Sequence, residues 1–214
     1  MRIAVLGTGV VGATVGARLV ETGHEVRLGS RTADNATAAA WAAQHGGGHG
    51  TFADVAEWGE VVVNATAGLV SLDALTAAGV ENLAGKVVLD LANALDFSAG
   101  FPPSVVQHDG LSVGEQIQAA FPSARVVKSL NTMNADVMVR PRSLSGAHTV
   151  FVAGDDPAAK EVVSGLLLGF GWAQDEILDA GGITASRGLE LYLPLWLALM
   201  QAGGTPAFNI HVVR

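Results

Sequence analysis

The sequence lacks cysteine altogether, and its 12 basic residues are outnumbered by 20 acidic ones. The absence of cysteine excludes disulfides, thiolate metal sites, iron–sulfur clusters and cysteine nucleophiles. A net charge of −8 argues against a nucleic-acid partner, because phosphate binding depends on clusters of lysine and arginine. The longest hydrophobic run, 191–200, contains Pro194 and is half as long as the roughly 20 residues that a membrane span requires. We therefore expect neither a nucleic-acid partner nor a membrane segment.

The length and composition predict one large domain with a sizeable core. The chain has 214 residues, half of them hydrophobic, and only 15% are charged, which argues against long disordered stretches. The first residues run directly into an apolar strand and a glycine motif, without the features of a signal peptide. We expect a cytoplasmic protein.

Short apolar runs alternate with helical patterns along the whole chain. This alternation predicts a Rossmann-type, doubly wound parallel sheet of the α/β class. The expected strands are 3–6, 25–28, 61–63, 86–91, 125–128, 150–153 and 172–178, and the expected helices include 10–22, 33–44, 71–78, 112–121 and 184–201. A weak boundary near 141–146 divides the chain into a nucleotide-binding domain (1–145) and a small C-terminal α/β segment (146–214) that shapes a second-substrate pocket.

A glycine motif follows the first predicted strand and opens the first helix. It reads Gly7-Thr8-Gly9-Val10-Val11-Gly12. In this position the pattern is typical of dinucleotide binding: the first glycine permits the turn, the second lets the backbone approach a pyrophosphate, and the third allows close packing. The alternative is a plain strand–turn–helix corner without a ligand.

The second strand ends in Ser30-Arg31, where NAD enzymes usually have an acidic residue for the ribose. A hydroxyl and a guanidinium suit the 2′-phosphate of NADP instead. The alternative is a surface arginine in front of a helix.

Small polar groups follow three further strands, where ligands of this fold bind. We predict that they line the nicotinamide pocket, although Asn and Thr at such positions also cap helices and form turns. The candidates are polar residues at these strand ends together with their apolar neighbours, namely Ala65, Thr66, Asn93, Ala94, Asn131 and Met133.

The sequence contains no convincing acid–base pair, and we predict no catalytic residue. His45 and His49 are four apart, but the glycines between them prevent a shared helical face, so we predict no metal site. Asp155 and Asp156 precede a helix and are expected to cap it.

These features resemble the NADP-dependent oxidoreductases that act on the deazaflavin coenzyme F420. The resemblance covers nearly the whole chain, and it includes 126–132, Gly154-Asp155-Asp156, and Ser186-Arg187 with Glu190. It implies hydride transfer between nicotinamide C4 and deazaflavin C5, driven by proximity and exclusion of water, in a homodimer. Archaeal members differ in having histidine where Asn131 stands. Reduction of another acceptor (a flavin, a quinone or a small carbonyl) and non-catalytic sensing of NADP(H) remain as alternatives.

Two expectations concern the C-terminal half of the chain. Leucines occur on all sides of the last predicted helix, which predicts burial against a second subunit. The anionic tail of F420 requires cations, and we expect Arg140 or Arg142 to contact it, with Lys128 and Arg187 as other candidates. Glu190, three residues after Arg187, is the expected ion-pair partner of Arg187.

Overall fold

The computed structural model describes residues 1–213. They form an eight-stranded sheet with helices on both faces, and a separate two-stranded hairpin. The strands are β1 (Arg2–Leu6), β2 (Glu25–Ser30), β3 (Gly48–Thr51), β4 (Val61–Asn64), β5 (Val87–Asp90), β6 (Leu95–Asp96), β7 (Ser104–Val105), β8 (Arg125–Ser129), β9 (Val150–Ala153) and β10 (Ile177–Gly181). The helices are α1 (Val10–Glu21), α2 (Ala36–His45), α3 (Phe52–Trp58), α4 (Ser71–Ala78), α5 (Val80–Leu83), α6 (Val113–Ala120), α7 (Ala135–Val139), α8 (Pro157–Phe170), α9 (Ser186–Leu191) and α10 (Leu193–Gly203).

The order of strands in the sheet is β10-β9-β8-β5-β4-β1-β2-β3. Neighbouring strands are parallel except β8 and β9, which are antiparallel. The chain moves outward from β1 to β3 and then crosses to β4 on the other side of β1. This reversal produces a crevice at the carboxyl ends of β1 and β4, where ligands of this fold bind. The predicted Rossmann-type fold is confirmed.

The central strands are buried on both faces, as continuous apolar runs predict. In β1, Ile3 and Val5 pack into a cluster with α1, α2 and α8, whereas Ala4 and Leu6 pack into a second cluster with α3, α4 and α6. After residue 145, β9 and β10 continue the same sheet beyond β8.

Side-chain caps begin several of the helices. Ser112 and Glu115 make a reciprocal capping box at the start of α6, and Thr51 makes another with Asp54 at α3. Asp156 caps α8 by accepting a hydrogen bond from the amide of Ala159 at 3.1 Å. Asp155 instead accepts from the amide of Ile183. The expected capping role is therefore confirmed for Asp156 and wrong for Asp155.

The predicted strand at 172–178 is present, but it begins five residues later than predicted and ends at Gly181. Trp172 is buried and donates from Nε1 to the Met138 carbonyl, a short 3₁₀ turn follows, and β10 begins at Ile177. The glycines at 46–48 both end α2 and begin the next strand. Gly46 ends the helix in the left-handed conformation (φ +72°), and Gly48 begins the edge strand β3. The hairpin strand β7 lies within the stretch 96–110, which is rich in proline and glycine.

The predicted single helix over 184–201 is wrong. A 3₁₀ turn precedes α9. The helix is then interrupted at Tyr192, between α9 and α10. Pro194 explains the break because its nitrogen cannot donate to the carbonyl four residues earlier.

Burial along α9 and α10 also differs from the prediction. One stripe of leucines is at most 8% exposed (Leu189, Leu193 and Leu197), while the opposite stripe is 40–55% exposed (Leu191, Leu195 and Leu199). Within the described chain, these helices are therefore buried on one side only. No helix among residues 1–213 is both long and apolar enough to cross a membrane.

Candidate active site

Three glycines shape the loop between β1 and α1. Gly7 has a φ of +117°, and a Cβ there would lie 2.6 Å from the Ala65 carbonyl oxygen. A Cβ on Gly12 would lie 2.2 Å from the Gly7 carbonyl oxygen. Gly9 differs, because its φ is −75° and a Cβ there would meet no atom within 4 Å. The fold itself therefore requires Gly7 and Gly12, whereas the space above Gly9 is open.

The amino terminus of α1 points into this open space. Its first turn contains no acidic side chain, and Gly9 caps it without a side-chain hydrogen bond. The amides of the first turn have no partner within the helix and carry its positive dipole end. Val10 is 76% exposed, and Thr8 is half-buried beside it. This combination suits an anion, as the glycine motif predicts.

Arg31 lies at the carboxyl end of β2, on one side of the glycine loop. It is exposed, lines a cavity of about 580 Å³ together with Phe52, Thr66 and Val70, and takes part in none of the ion pairs found within residues 1–213. The Ser30 hydroxyl is already engaged, since it donates to the Thr32 carbonyl at 2.5 Å. Arg31 is thus the available donor at this corner.

An apolar pocket of about 260 Å³ lies on the other side of the loop, at the carboxyl edge of the sheet. Every residue that lines it is uncharged. Among the predicted residues it contains Val11, Ala65, Thr66, Asn93, Asn131 and Met133. Ala94, by contrast, is buried and does not line the pocket. Thr66 lines both this pocket and the Arg31 cavity, so the two are adjacent.

Asn93 and Asn131 are locked together at the base of the pocket. The Asn131 Nδ2 group donates to Asn93 Oδ1 at 3.0 Å and to the Leu189 carbonyl at 3.1 Å. In return, Asn93 Nδ2 donates to the Asn131 carbonyl at 2.9 Å. Leu130 precedes this pair with a φ of +63°, a left-handed conformation that costs a residue with a side chain about 1–2 kcal/mol. This turn directs Asn131 back toward the pocket.

Two polar atoms at the pocket have no hydrogen-bond partner within the described part of the chain. They are Asn131 Oδ1, an acceptor, and Trp196 Nε1, a donor. Trp196 also stacks on Phe208, with ring centroids 5.4 Å apart. The pocket therefore offers an aromatic wall and two unsatisfied polar atoms of opposite kind.

A buried ion triad lies beneath the pocket. The Lys128 ammonium group is 2.8 Å from Asp90 Oδ2 and 2.8 Å from Glu190 Oε1, and all three side chains are inaccessible to solvent. It also donates to the Ala92 carbonyl. Burial lowers the pKa of Lys128, but the two carboxylates outweigh it and the net effect is a raised pKa. Lys128 is consequently a structural cation and not available to a coenzyme tail.

The second carboxylate of the triad also caps a helix. Glu190 Oε2 accepts from the amide of Val113 at 2.9 Å, and Oε1 accepts from that of Gly114 at 3.2 Å, at the start of α6. The expected pair between Arg187 and Glu190 is therefore wrong. Arg187 instead contacts Glu115, with Nε 2.7 Å from Oε2.

Arg140 and Arg142, which were expected to contact the anionic tail of F420, both lie outside the apolar pocket. Arg140 is 3.1 Å from Glu21 Oε1 and lines a groove beside α1 and α2, outside the apolar pocket. Arg142 pairs with Glu176, also outside the pocket. Among residues 1–213 there is no cluster of three or more potential metal ligands.

The sequence predicted that the C-terminal segment shapes a pocket but did not identify the residues that form its C-terminal wall. Leu193 and Trp196 of α10 and Phe97 of the hairpin region line it. The uniform hydrophobicity of the last helix indicated burial but not which side faces the site. For Phe97, its position in a long loop after a strand was the only feature of the sequence that indicated a place at the site.

The family profile described as NADP oxidoreductase, coenzyme F420-dependent, matches residues 2–94. A crystal structure from Arthrobacter sp. FB24, provisionally described as an F420-dependent NADP-reductase, is 49% identical, with complete coverage of both chains and a TM-score of 0.94. The chain belongs to the F420-dependent NADP oxidoreductase family. It is thus a member of a family of NADP-dependent oxidoreductases.

More distant similarities reach beyond this family. A hypothetical protein of Sinorhizobium meliloti is 24% identical, with coverage of 87% of this chain and 88% of that one and a TM-score of 0.71, which indicates a shared fold. The rat metalloreductase STEAP3 is 27% identical over 91% of this chain. The chain spans 38% of the length of that relative.

Proposed function

We propose that this protein transfers a hydride between NADP(H) and the deazaflavin coenzyme F420. The observation that carries the proposal is the pairing of an open glycine loop and a free arginine with an uncharged pocket that has an aromatic wall. NADPH, when bound, supplies the hydride. The chain's own contribution is to bind, align and dehydrate the two partners, which needs no acid or base at the reacting carbon.

The nucleotide half of the proposal rests on Gly9 and Arg31. The backbone around Gly9 can approach a pyrophosphate without any loss of protein packing, since no atom occupies that space. Arg31 lies exposed at the end of β2 without an ion-pair partner in the described chain, which suits a 2′-phosphate. We further propose that Ser30 turns its hydroxyl toward the same phosphate.

The acceptor half of the proposal rests on the α10 side of the apolar pocket, where Leu193 and Trp196 lie, while the nicotinamide is assigned to the side of the strand ends. Deazaflavin, flavin, quinone and carbonyl acceptors all carry a carbonyl oxygen, and the unpartnered Trp196 Nε1 is a suitable donor for it. Family membership favours F420 among them. Its charged tail would extend into solvent, because the residues that line the pocket carry no charge.

The decisive experiment mixes pure protein with NADPH and one acceptor at a time and follows the absorbance of both. Loss of deazaflavin absorbance with oxidation of NADPH is expected with F420. Turnover only with a flavin, a quinone or a small carbonyl would replace F420 with that acceptor. Tight NADPH binding without turnover of any acceptor would make the protein a sensor.

Cofactor choice is tested separately with Arg31→Ala. Loss of a charge-assisted phosphate contact at this exposed position should weaken NADPH binding by about tenfold and leave NADH binding unchanged. The matched control is Arg2→Ala, at the amino end of β1 and thus at the opposite edge of the sheet. Equal affinity of the unmodified protein for NADPH and NADH would contradict the assignment.

We also propose a homodimer in which the exposed leucine stripe of α9 and α10 (Leu191, Leu195 and Leu199) packs against a second copy. These side chains are 40–55% exposed on one helical face, an arrangement typical of a protein interface. Since NADPH is a cytoplasmic reductant, we propose a cytoplasmic location.

A further inference from the structure

The unpartnered oxygen of Asn131 has a chemically fixed identity. Asn131 is 2% exposed, and its amide group could in principle be turned around to exchange oxygen and nitrogen. One end of the amide faces the Leu189 carbonyl, which can only accept a hydrogen bond, so this end must be the nitrogen. The same reasoning fixes Asn93, because its own nitrogen faces the Asn131 carbonyl. The remaining atom, Asn131 Oδ1, is therefore an obligatory acceptor.

This acceptor lacks a donor from the protein. Asn131 lines the pocket, and its Oδ1 atom is buried and has no hydrogen-bond partner among residues 1–213. Buried polar atoms of native proteins nearly always have a partner, so we expect a ligand that fills this pocket to supply one. The matching group on the ligand must carry an N–H or O–H bond.

The position of the pocket identifies the ligand group. Thr66 borders both the pocket and the cavity of Arg31, and the glycine loop lies between them. A dinucleotide with its 2′-phosphate at Arg31 and its pyrophosphate above Gly9 has its nicotinamide end in the pocket. The polar substituent of that ring is a carboxamide, which carries N–H donors.

We propose that Asn131 is a specificity-determining residue that accepts a hydrogen bond at Oδ1 from the nicotinamide carboxamide. This inference rests on the proposed NADP(H) binding but not on the identity of the acceptor. It assigns the neighbouring Asn93 a positioning role, since Asn93 holds the amide of Asn131 in the required orientation.

The test compares three oxidised ligands by titration calorimetry: NADP⁺, its 3-acetylpyridine analogue and its nicotinic acid analogue. The acetyl group lacks an N–H donor, and the carboxylate would bring a second acceptor against Oδ1. We expect the unmodified protein to bind NADP⁺ about 5- to 150-fold more tightly than either analogue, because each would leave a buried acceptor unsatisfied.

Two variants complete the design. Asn131→Leu removes the acceptor at similar volume, and the preference for NADP⁺ over the acetylpyridine analogue should fall to about one. Asn82→Leu, which replaces an asparagine of α5 outside the pocket, should keep the preference. If circular dichroism shows that Asn131→Leu does not fold, the three ligands on the unmodified protein still decide the question.

The outcomes separate this inference from the proposal on which it rests. Binding of all three ligands within about twofold of one another would overturn the role of Asn131 and leave NADP(H) binding intact. Persistence of the preference in a folded Asn131→Leu protein would also overturn it. Failure of NADP⁺ itself to bind would overturn the proposed function, and this inference with it.

Discussion

Replacement of Gly9 by valine tests whether this glycine is required for nucleotide binding and not for folding. Gly9 has ordinary extended dihedral angles (φ −75°, ψ −179°), and an added Cβ would meet no atom within 4 Å. The expected cost to folding is the difference between glycine and valine as helix caps, about 0.5–1 kcal/mol. In a chain of this size, that corresponds to a melting temperature lower by at most about 4 °C.

The same side chain should abolish nucleotide binding. The branched methyl groups of valine would fill the space in which a pyrophosphate approaches the first-turn amides of α1. Loss of two charge-assisted hydrogen bonds costs about 3–6 kcal/mol, which weakens binding more than a hundredfold. Calorimetry with NADPH measures this effect, and circular dichroism measures the melting temperature.

Gly165 provides the matched control. It lies exposed in α8, and a Cβ there would also meet nothing within 4 Å, so Gly165→Val should retain both stability and NADPH affinity. Gly12→Ala should unfold the loop, because its Cβ would lie 2.2 Å from a backbone oxygen. Wild-type NADPH affinity in a folded Gly9→Val protein would refute the reasoning, and the glycine motif would then be only a structural corner.

Further variants test the rest of the molecule. The double change Arg140→Ala with Arg142→Ala should leave the KM for the acceptor unchanged in steady-state assays, because neither side chain lines the pocket; a clear rise in KM would restore the tail contact. Leu195→Glu should convert a dimer to a folded monomer by light scattering, whereas a monomeric unmodified protein would exclude the proposed interface. Lys128→Met should lower the free energy of unfolding by about 3–5 kcal/mol in urea titrations, since it leaves two buried carboxylates without their cation. Because the pKa of Lys128 is raised, its stabilising contribution should persist up to its unfolded pKa of about 10.4 and be lost only above it; a loss near neutral pH would contradict the triad.

Features that depend on neighbouring residues could be predicted from the sequence. The β1–α1–β2 unit and the capping box of Ser112 and Glu115 involve residues at most one element apart, so composition and spacing specify them. Edge strand β3 was not predicted, because the glycines at 46–48 are also a strong signal for the end of the preceding helix, α2. The break at Tyr192 could have been predicted, since Pro194 stood in the sequence as a known helix breaker.

Contacts between distant segments could not be predicted in the same way. Lys128 and Asp90 are 38 residues apart, and only the neighbouring positions of β5 and β8 in the sheet bring them together. A usable signal existed, because Asp90 ends an otherwise apolar strand and Lys128 directly follows Val126 and Val127, and a buried lysine requires an acidic partner. The sequence did not indicate that Glu190 would be the second partner.

The buried triad and the asparagine pair together explain how the C-terminal wall of the site is positioned. Glu190 is tied to Lys128 and to the amino end of α6, while the carbonyl of the preceding residue, Leu189, accepts from Asn131. Two consecutive residues of α9 are therefore anchored to the carboxyl end of β8 and to the start of α6. Trp196 follows in α10 and lines the pocket. Since removal of one charge from a buried pair costs far more than a surface contact, this wall is held at a fixed distance from the strand ends. Hydride transfer by proximity requires such a fixed separation of two ring systems, and the triad beneath the pocket and the asparagine pair at its base maintain it.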